Sequence, residues 1–305
     1  MKILLQFPEG LKQYAHKYAK ELEAKGNEVY VSASPSFGAC DLALDEAKKL
    51  GAQKLVHFGH AEFMHVNSDI EIEYVPYSVD ADLSVLEKSV PELVNHKKIG
   101  LVTTIQHIHQ LDDVKRFLEE NGKEVFIGRP YGFAKKPGQV LGCDVGSAAT
   151  INNVVEAFVY FGGGLFHPTG ALYATDKPFL VVDPYVGKCA WIDSYRDAYK
   201  KAEKAKLMRS MQAKKFGILV TKKVGQHNLN LGKVLKKLIE NAGFEATILI
   251  GDTFDFDALN NMMEFDAFVN TACPRLTTED NDRLRKPLLS ANNLTTLLQI
   301  VKAKA

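Results

Sequence analysis

The sequence predicts an α/β protein of three related lobes, each a small parallel sheet flanked by helices, in a pseudo-threefold arrangement. Three observations predict it. One β-α-β pattern recurs three times along the 305 residues. Each recurrence carries a glycine just past its helix, and three of the four cysteines fall one to a recurrence. Internal self-similarity marks a repeated supersecondary unit.

The first unit is ILLQFPEGLKQYAHKYAKELEAKGNEVYVSA, from Ile3. A short apolar run reads as a buried strand, a helical stretch follows, and a second apolar run closes the unit. The second is IGLVTTIQHIHQLDDVKRFLEENGKEVFIG, from Ile99, where Val114, Phe117 and Leu118 recur at helical spacing. The third is FGILVTKKVGQHNLNLGKVLKKLIENAGFEATILIG, from Phe216, with Val234, Leu235 and Leu238 in the same pattern. Gly26, Gly122 and Gly243 end the three helices, as residues that take the left-handed conformation without penalty. A third strand reads as KLVHFG, AFVYFG and DAFVNT in the respective units; EIEYVPY and FLVVDPY add a fourth to the first two. Strands alternating with helices imply parallel sheets with right-handed crossovers. The expected lobes are 1–96, 97–212 and 213–305. The charged stretch DSYRDAYKKAEKAKLMRSMQAKK before the last boundary reads as a solvated linking helix. One continuous doubly wound sheet is the alternative architecture.

Hydrophobic residues make up 46% and charged residues 25%, a globular profile. Lys and Arg number 38 against 37 Asp and Glu, a net charge of +1, which gives no bulk footprint for nucleic acid or membrane binding. The opening apolar run is too short for a signal peptide, and no run approaches the roughly 18 residues of a membrane span. A cytoplasmic location is expected, and with it cysteines kept as thiols.

Cys40 lies in the first unit, Cys143 in the second and Cys273 in the third; no CxxC pair exists, which excludes a local zinc knuckle. GACD at 38–41 and GCD at 142–144 share a context, each ahead of a predicted helix. Backbone N–H groups and the macrodipole at a helix start favour thiolate, the form that ligates metal. Cys273 follows a strand directly, and Pro274 fixes the chain beyond it. If the lobes share an axis, the three sulfurs can converge. Three thiolates suit a zinc site with a fourth protein ligand, or a [4Fe–4S] cluster with one iron open to substrate; filling of core by buried cysteines is the plain alternative. Cys189, in VGKCAW, has no such setting and reads as structural or incidental.

The chain resembles the archaeal 2-(3-amino-3-carboxypropyl)histidine synthase family of diphthamide biosynthesis. The resemblance runs in order through QFPEGL (6–11), SFGACD (36–41), HFGH (57–60), TTIQHIHQL (103–111), GQVLGCD (138–144), FHPTG (166–170), DPY (183–185), ACPRL (272–276) and KPLL (286–289). SFGACD, GQVLGCD and ACPRL together are its specific part. GGGLFH (162–167), VGQH (224–227) and TTEDND (277–282) depart from the usual pattern. The resemblance implies three lobes, a homodimer, and a [4Fe–4S] cluster held by Cys40, Cys143 and Cys273. It also implies cleavage of the Cγ–S bond of S-adenosylmethionine and transfer of the 3-amino-3-carboxypropyl group to C2 of a histidine in translation elongation factor 2. An electron donor, of no identity readable here, is required.

Loops after the first strands face the side of the cysteines in this reading. They nominate Gln6, Pro8, Glu9 and Gly10, then Gln106 and His107, then Gln226 and His227, with His60 and His167 after third strands. Glu9 reads equally as a carboxylate at a helix start. Arg275, beside Cys273, is the expected partner of a substrate carboxylate. No residue is nominated as an acid, base or nucleophile. A quinolinate synthase-like [4Fe–4S] dehydratase and a metal-free small-ligand module are the competing functions.

Overall fold

The apolar runs become strands, the central ones buried on both faces and the edge ones partly exposed. The computed structural model describes residues 1–278 and 283–304, so the last four residues of TTEDND lie outside the described part. It holds two compact units, Met1–Ser194 and Tyr195–Ala305. In the first unit, β1 (Lys2–Gln6), β2 (Glu28–Val31), β3 (Lys54–Phe58) and β4 (Glu71–Val75) form an all-parallel sheet ordered β2-β1-β3-β4. A second sheet follows, built from β5 (Lys98–Thr103), β6 (Glu124–Phe126), β7 (Ala157–Phe161), β8 (Phe179–Asp183) and β9 (Lys188–Trp191). Its order is β6-β5-β7-β8-β9, with only β9 antiparallel. The second unit holds β10 (Lys215–Thr221), β11 (Glu245–Gly251), β12 (Ala267–Asn270) and β13 (Leu288–Ser290), parallel and ordered β11-β10-β12-β13.

The three sheets share one order: second strand, first, third, fourth. The direction of winding reverses beside each first strand. In such sheets ligands bind beyond the carboxyl ends of the strands at that switch point. In the first sheet it lies between Gln6, ending β1, and Phe58, ending β3. In the third it lies between Thr221 and Asn270.

Burial follows the sheet. All five residues of β7 are buried. Val159 and Phe161 pack with Val85, Leu86 and Leu93 on one face. Phe158 and Tyr160 pack with Ala148, Ala171 and Leu172 on the other. That two-sided burial is why AFVYF reads as a continuous apolar run rather than an alternating one. The helical segment Leu83–Glu92 lies before residue 97 yet contributes Val85 and Leu86 to the core of the second sheet. The glycines expected past the helices have φ of +82° (Gly26), +79° (Gly122) and +84° (Gly243), the left-handed region that only glycine enters freely.

The charged helix spans Ser194–Ser210 and, from Tyr195 on, belongs to the second unit. It is not solvated all round. Leu207 packs against the core of the third sheet. Lys206 Nζ donates to Glu203 (2.8 Å) and to the carbonyl of Thr277, and Asn293 Nδ2 donates to Glu203. Two strands escape sequence reading. β13 is only three residues long, and β9 alternates exposed and half-buried positions. No helix among the described residues is long and apolar enough to cross a membrane.

Candidate functional site

Each sheet presents one cysteine at its carboxyl edge, and a buried polar side chain holds each cysteine loop. Cys40 lies in a turn after β2, closed by the Asp41 N–H donating to the Gly38 carbonyl at 2.9 Å. Gln6, 3% exposed, ties that turn to the end of β1. Its Nε2 donates to the Asp41 carbonyl (2.6 Å), and its Oε1 accepts the Ala43 N–H (3.1 Å). The Phe37 N–H donates to the carboxylate of Asp41 (3.3 Å). The expected helix starts only at Leu44, after an N-cap at Ala43. Cys40 therefore sits ahead of the first turn, and hydrogen bonds rather than the macrodipole organise its loop.

Cys143 repeats the pattern with different parts. The segment Gly138–Val140 pairs with Thr103 at the end of β5, so GQV extends the sheet edge before the chain turns. Asp144, 8% exposed, accepts the N–H groups of Phe133, Ala134 (2.7 Å) and Gly146 (3.0 Å). A four-residue helix begins at Gly146, again beyond the cysteine. The FHPTG motif explains Gly142. A Cβ on Gly142 would stand 2.2 Å from the ring of Phe166, and one on Gly170 would stand 2.5 Å from the Gly142 carbonyl. The helix Phe166–Ala174 thus presses its first and fifth residues onto the backbone of the cysteine loop, an approach that needs glycine on both sides. The Phe133 ring stacks on Phe63 with centroids 4.0 Å apart. This links the Cys143 loop to the segment following His60.

Cys273 comes after β12 rather than before the third strand. Asn270, 7% exposed, ends β12 and clamps the loop; its Nδ2 donates to the Cys273 carbonyl (2.8 Å) and its Oδ1 accepts the Ala272 N–H (2.9 Å). Gln6 and Asn270 do the same work in two sheets. A carboxamide at a strand end reads one carbonyl and one N–H of the cysteine loop.

Cys143 is exposed, and Cys40 and Cys273 are half-buried. These are soft sulfur donors, two on loops with a nearby glycine (Gly38, Gly142) and one followed by Pro274, a donor set that suits iron–sulfur ligation. Among the described residues no three His, Cys, Asp or Glu side chains form a preassembled metal site; each thiol is presented by its own loop. Cys189 sits on β9 against the Val85 carbonyl at 3.7 Å, and burial, followed by the charge of Glu92, pushes its thiol up to about 11. It stays protonated at neutral pH, consistent with a structural role.

The other nominated residues divide. Gly10 lies on an exposed turn of 3₁₀ helix. Gln106 is half-buried, with its carbonyl accepting the Val79 N–H at 3.0 Å. His107 is fully buried. Its Nδ1–H donates to the Val79 carbonyl (3.1 Å), and Nε2 accepts from the Tyr185 hydroxyl (3.0 Å). Gln226 is half-buried and His227 exposed, the latter with Nδ1 on the Thr221 carbonyl at 2.6 Å. The two Gln-His pairs thus share one bond, Nδ1–H to a carbonyl, and differ in burial. Arg275 is exposed at the start of the short helix Arg275–Thr278 that follows Cys273. His167 is half-buried in the second position of the helix that clamps Gly142.

His57 is the residue the sequence hides. It is fully buried at the switch point of the first sheet. Nδ1 stands 2.9 Å from Gln6 Oε1, and Nε2 stands 3.0 Å from His60 Nδ1. Burial, reinforced by His60, pushes its pKa down to about 3. The unfolded chain binds a proton near pH 6.5 that the folded chain refuses until far lower pH. Stability is therefore full above about pH 6.5 and falls as pH drops toward about 3, by up to ~1.4 kcal/mol per pH unit. Denaturant titrations at about pH 6 and about pH 4 should show a shallower acid loss in His57→Gln by close to one proton. Equal slopes in both proteins would assign the acid sensitivity to other groups.

Fold and loops together define an α/β protein with three parallel-dominated sheets, each offering a thiol beyond its strand ends. The chain belongs to the diphthamide synthesis protein family, whose model matches residues 7–305. It is 38% identical over 301 residues to the 2-(3-amino-3-carboxypropyl)histidine synthase of Pyrococcus horikoshii, covering 97% of this chain and 85% of that one. It is 29% identical over 292 residues to subunit 1 of the Caenorhabditis elegans synthase, covering 94% and 73%. The crystal structure of Dph2 from Pyrococcus horikoshii with a 4Fe-4S cluster superposes with a TM-score of 0.90 at 36% identity, covering 98% of this chain and 86% of that one. This family membership sets the chain with the diphthamide synthesis proteins rather than with a quinolinate synthase-like dehydratase.

Proposed function

We propose that this chain transfers the 3-amino-3-carboxypropyl group of S-adenosylmethionine to C2 of a histidine in translation elongation factor 2, the first step of diphthamide biosynthesis. The observation that carries this is the match to the diphthamide synthesis family across residues 7–305, with one thiol at the carboxyl edge of each of three like-ordered sheets. Cys40, Cys143 and Cys273, one from each of the lobes 1–96, 97–212 and 213–305, would hold a [4Fe–4S] cluster. Bound there and reduced by an external donor, the cluster would supply the one electron needed to cleave the Cγ–S bond of S-adenosylmethionine to methylthioadenosine.

The protein's share of the work is binding and orientation. Gln6, Asp144 and Asn270 set the three loops, so each sulfur is presented without reorganisation at the moment of ligation. Arg275 supplies a guanidinium for the substrate carboxylate. Gln106, Gln226 and His227 border the carboxyl edges of the second and third sheets and belong to the substrate pocket; Gly10 leaves open space beyond β1. His107 acts from beneath, holding the edge of the second sheet through Val79 and Tyr185. The working assembly is a homodimer in the cytoplasm, with elongation factor 2 as its protein partner.

Anaerobically reconstituted, dithionite-reduced protein incubated with S-adenosylmethionine and elongation factor 2 should release methylthioadenosine and add the aminocarboxypropyl mass to one histidine. Release of 5′-deoxyadenosine instead, or of no nucleoside, would overturn the assignment.

A further inference from the structure

The switch point of the first sheet holds a hydrogen-bond chain whose proton positions follow from its ends. A backbone carbonyl only accepts and a backbone N–H only donates. Asp41 and Ala43 therefore fix the Gln6 carboxamide, with Nε2 toward the Asp41 carbonyl and Oε1 toward the Ala43 N–H. Oε1 also faces His57 Nδ1, so that nitrogen carries hydrogen. Burial keeps His57 neutral, which leaves its Nε2 an acceptor. The partner of that acceptor is His60 Nδ1, which must carry the next hydrogen. A neutral His60 then has a bare Nε2.

The Phe58 carbonyl, itself only an acceptor, also draws on the His60 ring hydrogen, and no donor faces Nε2 among the described residues. It borders Gly38, whose φ is +150°. A Cβ built there would lie 3.9 Å from His60 Nε2 and 3.7 Å from the sulfur of Cys40. A fixed lone pair and a cysteine sulfur thus share the space over one glycine. A lone pair held this way repels carboxylates and sulfides and accepts from a donor.

We propose that His60 accepts a hydrogen bond from the α-ammonium of the substrate's aminocarboxypropyl end, held as an acceptor by Gln6 and His57. The proposal rests on the reading of S-adenosylmethionine as substrate. Gln6 acts here as a positioning residue rather than as a ligand contact, because both faces of its amide are occupied.

The test measures binding to the anaerobic, cluster-loaded protein by calorimetry, using S-adenosylmethionine and its desamino analogue. His60→Leu should weaken S-adenosylmethionine by about tenfold or more, as expected for a lost hydrogen bond to a charged group. Its affinity for the desamino analogue should stay within about twofold of wild type, with iron content unchanged. His60→Gln keeps an acceptor oxygen and should recover part of the loss. Equal weakening of both ligands, or no weakening, overturns the proposal. Loss of iron in both variants would make His60 a ligand of the metal instead. Wild-type protein that binds no S-adenosylmethionine would sink the substrate assignment, an outcome separate from the behaviour of the variants.

Discussion

Alanine in place of Cys40, Cys143 or Cys273 is expected to cut iron from about four atoms per chain to well under one after anaerobic reconstitution. Cys189→Ala should retain the full complement. The contrast follows from chemistry and placement. The first three thiols lie in loops at the carboxyl edges of parallel sheets, with at least part of each side chain reachable. Cys189 is a strand residue with its thiol pushed to about 11, and thiolate is the ligating form. Iron and sulfide analysis, together with the electron paramagnetic resonance signal of the reduced protein, reads the result. A Cys189 variant that alone loses iron would replace the ligand set. Because a cubane with two protein ligands is poorly held, each single substitution should approach the effect of all three rather than a third of it.

Asp144→Ala should be the most damaging change outside the cysteines. The carboxylate accepts three backbone N–H groups from two separate segments, 133–134 and 146, in a nearly solvent-free position. Truncation leaves those donors buried and unpaired, each at a cost of about 1–3 kcal/mol where water cannot enter. A net loss of about 3 kcal/mol is expected, read as a lower denaturant midpoint with little change in slope. Iron retention should fall with it, since Cys143 precedes the lost clamp. Asp144→Asn keeps one acceptor oxygen and should fall between the two. If Asp144→Ala matches wild type in both stability and iron, the loop is held by the Gly142–Phe166 contact instead.

Much of this molecule is legible from residue order. The first and third strands of every sheet are legible because parallel strands covered on both faces read as unbroken apolar runs, and the second strands, more exposed at the sheet edges, follow from their place after each helix and its glycine. Past-helix glycines are legible because Gly26, Gly122 and Gly243 need a backbone conformation other residues avoid. β9 and β13 escape, being too short or too evenly half-buried to show a period. The charged helix 194–210 misleads because its buried stripe is itself polar. Glu203 and Lys206 meet Asn293 and Thr277 beside the buried Ser210 and the half-buried Leu207, and composition alone does not distinguish a satisfied polar contact from a solvated one. The helix-start setting expected for Cys40 and Cys143 also differs, since each helix begins three or four residues later.

Sequence alone determined the repeated unit, the three edge cysteines and the family, since each is carried by spacing or by rare combinations of residues. Tertiary structure alone decided what surrounds those cysteines. Whether a Gln, Asn or Asp serves as clamp or contact depends on which backbone groups of distant segments meet it, as Gln6 meets Asp41 and Ala43. The tautomer of His60 is likewise set by a chain of partners up to 51 residues apart, and hydrogen bonds of that range leave no periodic trace in the order of amino acids.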